Sequence, residues 1–182
     1  MFEDRIQAGE LLAQKLSSLK MPFSAVLAIP RGGVVVGRVI ADRFQKPLGV
    51  VNAKKIPTPG QPELAAGAEI IKDRGFGTTP NVKNKNVTLV DDGIATGATV
   101  ETAINYLKEK GAAKIILAVP VAPPEAVERL SKLVDRLVVL ETPDDLMAVG
   151  QFYRDFPQVS DEEVLQLLHE ANNRARKSRR EI

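Results

Sequence analysis

The densest chemistry in this sequence sits in one run, Val87-Thr88-Leu89-Val90-Asp91-Asp92-Gly93-Ile94-Ala95-Thr96-Gly97-Ala98-Thr99. An apolar strand delivers two adjacent carboxylates, a turn of small residues follows, and a helical pattern opens at Ala98. Small side chains let a ligand approach the backbone. The N–H groups of the turn and of the first helical turn have no partner within the helix, and Thr96 and Thr99 add hydroxyls. Such a turn is a cradle for a phosphate monoester. Two carboxylates beside it suit vicinal hydroxyls, which donate hydrogen bonds, or Mg²⁺, which prefers hard oxygen ligands. Together they describe a sugar phosphate, its phosphate on the turn and its hydroxyls on the acids.

The rest of the chain must position that run. Phe2, Ile6, Leu12, Leu16 and Leu19 recur mostly at helical spacing, so residues 2–19 read as an amphipathic helix, stopped by Met21-Pro22. Residues 25–29 read as a buried strand running into the turn Pro30-Arg31-Gly32-Gly33, and residues 34–44 as the helix after it. A second strand is expected at 48–53, a loop with three prolines at 56–62, and a short strand or hairpin arm at 65–71. Residues 72–86 read as an exposed connection. Strands follow at 87–90, 114–119 and 136–140, alternating with helices at 98–110 and 124–133. Ser160-Asp161-Glu162-Glu163 resembles a capping box for a last helix to about residue 177.

This alternation predicts an α/β fold: an open, mainly parallel five-stranded sheet flanked by helices. With 182 residues, one domain over 1–182 is the expectation, with a core of about 20–142 and packing or hood elements at 1–19 and 143–182. In such sheets ligands bind beyond the carboxyl ends of the strands, at the switch in strand order.

Composition narrows the chemistry further. The chain has no cysteine and one histidine, His169, which falls within the last helical pattern and reads as a surface or packing residue. Disulfides, thiol nucleophiles and His-rich metal sites are thereby excluded. No stretch approaches about 18 uninterrupted apolar residues, so no membrane span is expected, and a cytoplasmic protein is the resulting expectation. The net charge of +2 hides a basic end: Arg174, Arg176, Lys177, Arg179 and Arg180 face only Glu181. A mildly acidic body with a basic helix end does not describe a dedicated nucleic-acid binder.

The run from Val87 to Thr99 resembles the phosphoribosyl pyrophosphate signature of the type I phosphoribosyltransferases. Pro30 to Val34, Pro62-Glu63-Leu64-Ala65, Ala118 to Pro124 and Ala148 to Tyr153 are similar to a branch of that superfamily whose members are labelled predicted phosphoribosyltransferases. The resemblance implies Mg²⁺-dependent transfer of a phosphoribosyl group from phosphoribosyl pyrophosphate to a nitrogenous base or similar small acceptor, with release of pyrophosphate. It implies that Asp91 and Asp92 hold the ribose hydroxyls, or a metal through water, and that Ala95, Thr96, Gly97, Ala98 and Thr99 hold the 5′-phosphate. It places pyrophosphate on Arg31, Gly32, Gly33 and Lys55, with Arg31 and Lys55 as the catalytic cations. The Arg31 turn in this superfamily often contains a strained or cis peptide. The resemblance also allows a homodimer.

Two departures from the superfamily pattern stand out. The first position of the phosphate loop, often an acid that deprotonates a purine, is Ala95. The segment where a flexible catalytic loop is expected, 72–86, is short. Glu63, Phe152 and Tyr153 are the candidate acceptor contacts, with Phe2-Glu3-Asp4-Arg5 and Phe152-Tyr153-Arg154-Asp155-Phe156 as the hood built from the chain ends. A non-catalytic regulator that binds phosphoribosyl pyrophosphate or a nucleotide is the alternative.

Overall fold

The computed structural model describes residues 1–180; the side chains of residues 61–66 lie outside the described part. The elements are α1 (Arg5–Ser17), β1 (Ala25–Ala28), α2 (Gly32–Phe44), β2 (Leu48–Val50), β3 (Ala53–Thr58), β4 (Gln61–Ile70), β5 (Asn86–Val90), α3 (Ala98–Glu109), β6 (Lys114–Val121), α4 (Pro124–Ser131), β7 (Arg136–Glu141) and α5 (Asp161–Arg180). Five strands form one sheet in the order β2-β1-β5-β6-β7, every neighbouring pair parallel, and β3 and β4 form a separate antiparallel hairpin.

Both faces of the sheet are buried, which is why its strands read as continuous apolar runs. Alternate residues feed opposite faces. Val26, Val90, Ile116 and Val138 pack under Leu12, Leu16, Ile40 and Val164 of α1, α2 and α5. Leu27, Leu89, Ile115 and Leu117 pack under Val100, Ile104, Leu107 and Leu130 of α3 and α4. The last helix is longer than expected and reaches Arg180. Arg174 of α5 pairs with Asp42 of α2 at 2.6 Å, so part of the basic end is tied to the body.

The stretch between β2 and β5 differs most from the sequence reading. The strand expected at 48–53 is two strands, broken at Val51-Asn52, and the three-proline loop expected at 56–62 is mostly the two arms of the hairpin. Pro57 lies in β3, where the register slips on both sides of it. Both strands of a two-stranded hairpin are edge strands, and edges and bulges are where proline is tolerated. The hairpin turns at Pro59-Gly60, with Gly60 at φ 78°. Segment 72–86 is fastened down instead of hanging free: Asp73 Oδ1 accepts from the N–H groups of Gly75 and Gly77, Asn52 donates to the carbonyls of Lys72 and Gly77, and Phe76 and Val82 are buried.

The N-terminal segment and residues 152–157 meet beside the carboxyl ends of the strands. The Phe2 N–H donates to the Phe152 carbonyl at 2.7 Å, and the N–H groups of Arg154 and Asp155 donate back to Phe2 and Glu3. Among the described residues no helix is long and apolar enough to cross a membrane.

Candidate functional site

The strand order switches direction between β1 and β5. The β1–α2–β2 crossover goes one way, while β6 and β7 extend the other. The turns that follow β1 and β5 therefore lie side by side, at the place where doubly wound sheets bind ligands. The contact between them is close. A Cβ on Gly32 would overlap the Asp92 carboxylate and come within 2.8 Å of Arg5 Nε; one on Gly33 would lie 3.1 Å from Asp91 Oδ1. Two glycines after β1 are what let two acids after β5 sit there. The Pro30–Arg31 peptide between β1 and this turn is cis.

Asp91 and Asp92 form the floor of a cleft of about 440 Å³. Ala95, Thr96, Gly97 and Thr99 line one side, Lys55 of the hairpin faces them, and Met147 to Gly150 with Phe156 close the third side. Gly97 stands at the N-cap of α3 with φ 89°, a left-handed conformation that favours glycine, and no side chain caps the helix. Among the described residues the N–H groups of Ala95, Thr96 and Gly97 find no acceptor. Arg129 braces this turn from behind, donating from Nη2 to the Thr96 carbonyl at 2.6 Å while its Nε pairs with Glu101. The result is an open set of donors at a helix N-terminus, suited to an anion.

The two acids have different surroundings. Asp91 accepts from the Asp92 N–H at 2.8 Å, and protein around it strips away water. That burial, and then the neighbouring charge of Asp92, hold the Asp91 carboxyl well above the usual carboxylate range, with Lys55 pulling weakly the other way. Asp92 has a cation of its own: its Oδ2 accepts from Arg5 Nε at 3.0 Å, with the Arg5 side chain 8% exposed. Arg5 Nη1 donates to the Pro157 carbonyl at 2.6 Å, and the guanidinium lies 3.8 Å from the centre of the Phe156 ring. The Asp92 backbone carbonyl accepts from the Tyr153 hydroxyl at 2.6 Å. Burial first, then the Asp92 charge, push the Tyr153 phenol up, so it stays a donor.

Asp91, Asp92, Ala95, Thr96, Gly97, Thr99 and Lys55 are thus brought into one cleft, with Ala98 opening the helix behind them. The β3 alternation turns Lys55 toward the cleft, while Lys54 stands opposite Glu69 across the hairpin. Gly32 and Gly33 lie against the acids. Arg31 is not brought in: its Nε bonds Asp161 Oδ1 at 2.8 Å, and it lines a separate shallow dent with Gln158 to Asp161. Phe152 and Tyr153 pack against Phe2 and Val121 behind the acids, and the aromatic that reaches the cleft is Phe156. Glu63 lies on β4, and its side chain is outside the described residues. His169 is exposed on α5 beside Asn173.

Arg5, within the N-terminal run expected to form part of the hood, is the residue to which sequence reasoning gave no role of its own. Its signal was nonetheless present. The buried face of α1 runs Arg5, Ala8, Gly9, Leu12, Ala13, Leu16, so a helical stripe extended backwards lands on a charged residue. A charge on an apolar stripe requires a partner.

A parallel sheet with two acids and an open turn of backbone donors at its switch point is the arrangement of a type I phosphoribosyltransferase-like fold. The family model for the phosphoribosyl transferase domain matches residues 3–157, from beside Arg5 to its second acceptor, Pro157, and the chain belongs to that family. A Mycobacterium tuberculosis protein named provisionally as a phosphoribosyl transferase is 36% identical over 94% of this chain and 47% of its own length. The chain spans about half the length of the curated relatives it matches. The crystal structure of a Thermus thermophilus protein is similar with a TM-score of 0.79 and 37% identity, covering 93% of this chain and 98% of that one. That of a purine phosphoribosyltransferase from Pyrococcus horikoshii shares the fold, with a TM-score of 0.58 and 23% identity over 86% of this chain and 94% of that one.

Proposed function

We propose that this chain binds phosphoribosyl pyrophosphate and transfers its phosphoribosyl group to a nitrogenous base or similar small acceptor, releasing pyrophosphate. The observation that carries this reading is the meeting, in one cleft, of two carboxylates, an uncapped helix N-terminus and a lysine on the facing hairpin. In this reading the N–H groups of residues 95–99 and the Thr96 and Thr99 hydroxyls take the 5′-phosphate. Asp91 and Asp92 accept hydrogen bonds from the ribose hydroxyls. Lys55 faces the diphosphate, whose growing charge it neutralises as the bond to C1 breaks. The turn at Gly32-Gly33 brings backbone close to the same diphosphate. Arg31 reaches it by leaving Asp161, and an exposed ion pair of this kind costs only about 0–1 kcal/mol to break.

A divalent ion fits this site only together with its ligand. Among the described residues no cluster of three potential metal-ligating side chains occurs. One oxygen of each acid is already engaged, Asp91 Oδ1 by the Asp92 N–H and Asp92 Oδ2 by Arg5, so each offers its other oxygen. Mg²⁺ held mainly by phosphates and water, with Asp91 and Asp92 in reach, matches that donor set. Bound there, it would stabilise the charge of the departing diphosphate.

The acceptor side is apolar: Met147, Ala148, Val149 and Phe156 offer surface and no carboxylate, and Ala95 offers no general base. Calorimetric titration with phosphoribosyl pyrophosphate, with and without Mg²⁺, followed by pyrophosphate detection across a panel of bases, tests the proposal. The expected result is magnesium-enhanced binding with base-dependent release. Binding without release for any base would support a non-catalytic regulator, and absence of binding would overturn the reading of the cleft.

A further inference from the structure

Arg5 is one of three polar or charged residues buried among the described ones, at 7% exposure, and the only one of them that carries a charge. Three features of its guanidinium are in use at once: Nε on Asp92, Nη1 on the Pro157 carbonyl and one face on the Phe156 ring. It also lies against the turn after β1, because Gly32 has no Cβ and the Asp92 carboxylate and Arg5 Nε fill the space one would need. The group therefore joins four pieces of the molecule: the start of α1, the turn after β1, the turn after β5 and the segment entering α5.

We infer that Arg5 is a positioning residue of this site, fixing the Asp92 carboxylate against the Gly32 turn so that it meets a ribose hydroxyl in one orientation. The inference rests on the reading of Asp92 as a hydroxyl-binding acid. Two adjacent carboxylates repel each other, and a carboxylate without a fixed partner is free to turn about its side-chain bonds. Arg5 removes that freedom from Asp92 without entering the cleft, since the lining residues do not include it. A guanidinium suits this role because it is planar, always charged and able to bond along its edge while it stacks on its face. A lysine carries the same charge as a single point and cannot serve all three partners together.

The test separates positioning from mere support of the fold. Arg5→Lys, Arg5→Gln, Asp92→Asn and the double variant Arg5→Gln/Asp92→Asn are titrated with ribose 5-phosphate, which uses the acids and the phosphate turn, and with inorganic phosphate, which uses the turn alone. Both Arg5 variants are expected to bind ribose 5-phosphate about tenfold more weakly or worse, with phosphate binding within about twofold of the wild type. In the Asp92→Asn background, Arg5→Gln is expected to add less than about twofold, because a residue acting through Asp92 loses its effect once that carboxylate is gone. Additive losses, equal losses for the two probes, or an Arg5 variant that binds like wild type would overturn the inference and leave the reading of the cleft standing. Should Arg5→Gln fail to fold, Arg5→Lys keeps the charge and carries the same comparison. Failure of the wild type to bind ribose 5-phosphate would overturn the reading of Asp92 and this inference with it.

Discussion

The sheet carries a cavity at each end, and the larger is not the one on which acids and free backbone donors converge. At the amino ends of the strands a space of about 700 Å³ lies among Phe44, Pro47, Leu48, Phe76, Pro80 and Val82, with Lys46, Lys85 and Arg179 at its edge and no acid among its described lining residues. At the carboxyl ends the space is about 440 Å³, but two acids, a row of free backbone donors and one lysine converge on it. In the larger cavity the amide of Asn172 is already spent, both its atoms bonded to the N–H and carbonyl of Leu48 on the edge strand. Volume comes from how helices and loops lean on a sheet edge. Convergence of unspent donors and acceptors comes from the topology, which puts two strand ends and a helix N-terminus at one point.

That contrast can be broken by substitution. The largest effect is expected from Asp91→Asn with Asp92→Asn. It should weaken phosphoribosyl pyrophosphate binding by about a hundredfold, since a hydrogen bond to a charged carboxylate is worth about 1.5–3 kcal/mol and one to a neutral carboxyl about 1 kcal/mol. Calorimetry on the folded double variant checks this, and unchanged affinity would move the ligand elsewhere. A smaller effect is expected at Lys55. Lys55→Ala should lose about tenfold for phosphoribosyl pyrophosphate, roughly 1.4 kcal/mol, and much less for a nucleoside monophosphate. Lys46→Ala with Lys85→Ala, at the other end of the sheet, should change neither. Equal losses for the two ligands at Lys55 would remove it from the diphosphate, and a loss on changing Lys46 and Lys85 would reverse the assignment of the two cavities.

The smallest effect concerns stability. Asp91 holds its proton in the folded chain to a higher pH than in the unfolded chain. The folded state then binds more protons, so stability falls as pH rises from the ordinary carboxylate range, near 3.8, through the raised folded value. Asp91→Asn removes that loss. Ligand-free thermal unfolding from pH 4 to pH 8 should show the variant gaining on the wild type as pH rises, by about 2–4 °C for each kcal/mol relieved. A gap that stays constant or narrows would mean that Asp91 is already charged in the folded chain.

The sequence was most legible where local pattern and topology agree. Val87 to Thr99 shows a strand, two acids and a turn of small residues before a helix in order, and the structure keeps all of these together. The α/β alternation likewise predicts the parallel sheet. Legibility fails where a residue's meaning depends on distant neighbours. The three prolines near residue 60 read as loop because proline is excluded from interior strands, and only the isolation of the hairpin makes Pro57 acceptable. Arg31 follows the expected strand, yet the side chain turns toward Asp161, 130 positions away, which no local spacing reports. Phe152 and Tyr153 have the composition of a stacking platform, but the bonds between residues 2–3 and 152–155 draw them under the acids instead.

The way Asp92 is held also sets an order of events in folding. Its carboxylate waits on a residue 87 positions upstream and its carbonyl on one 61 positions downstream, while Arg5 must find Pro157 across 152 positions. Contacts of such long separation close late. As the chain leaves the ribosome, the turn before α3 can form once β5, α3 and their neighbours are out, but Arg5 has no full set of partners until residues 153–157 follow. A nascent chain that stops short of Phe152 would already possess the open turn of donors and would still lack a fixed acid beside it. A fixed Asp92 thus depends on the segment that brings Tyr153 and Pro157, which comes last in the sequence among the pieces that hold it.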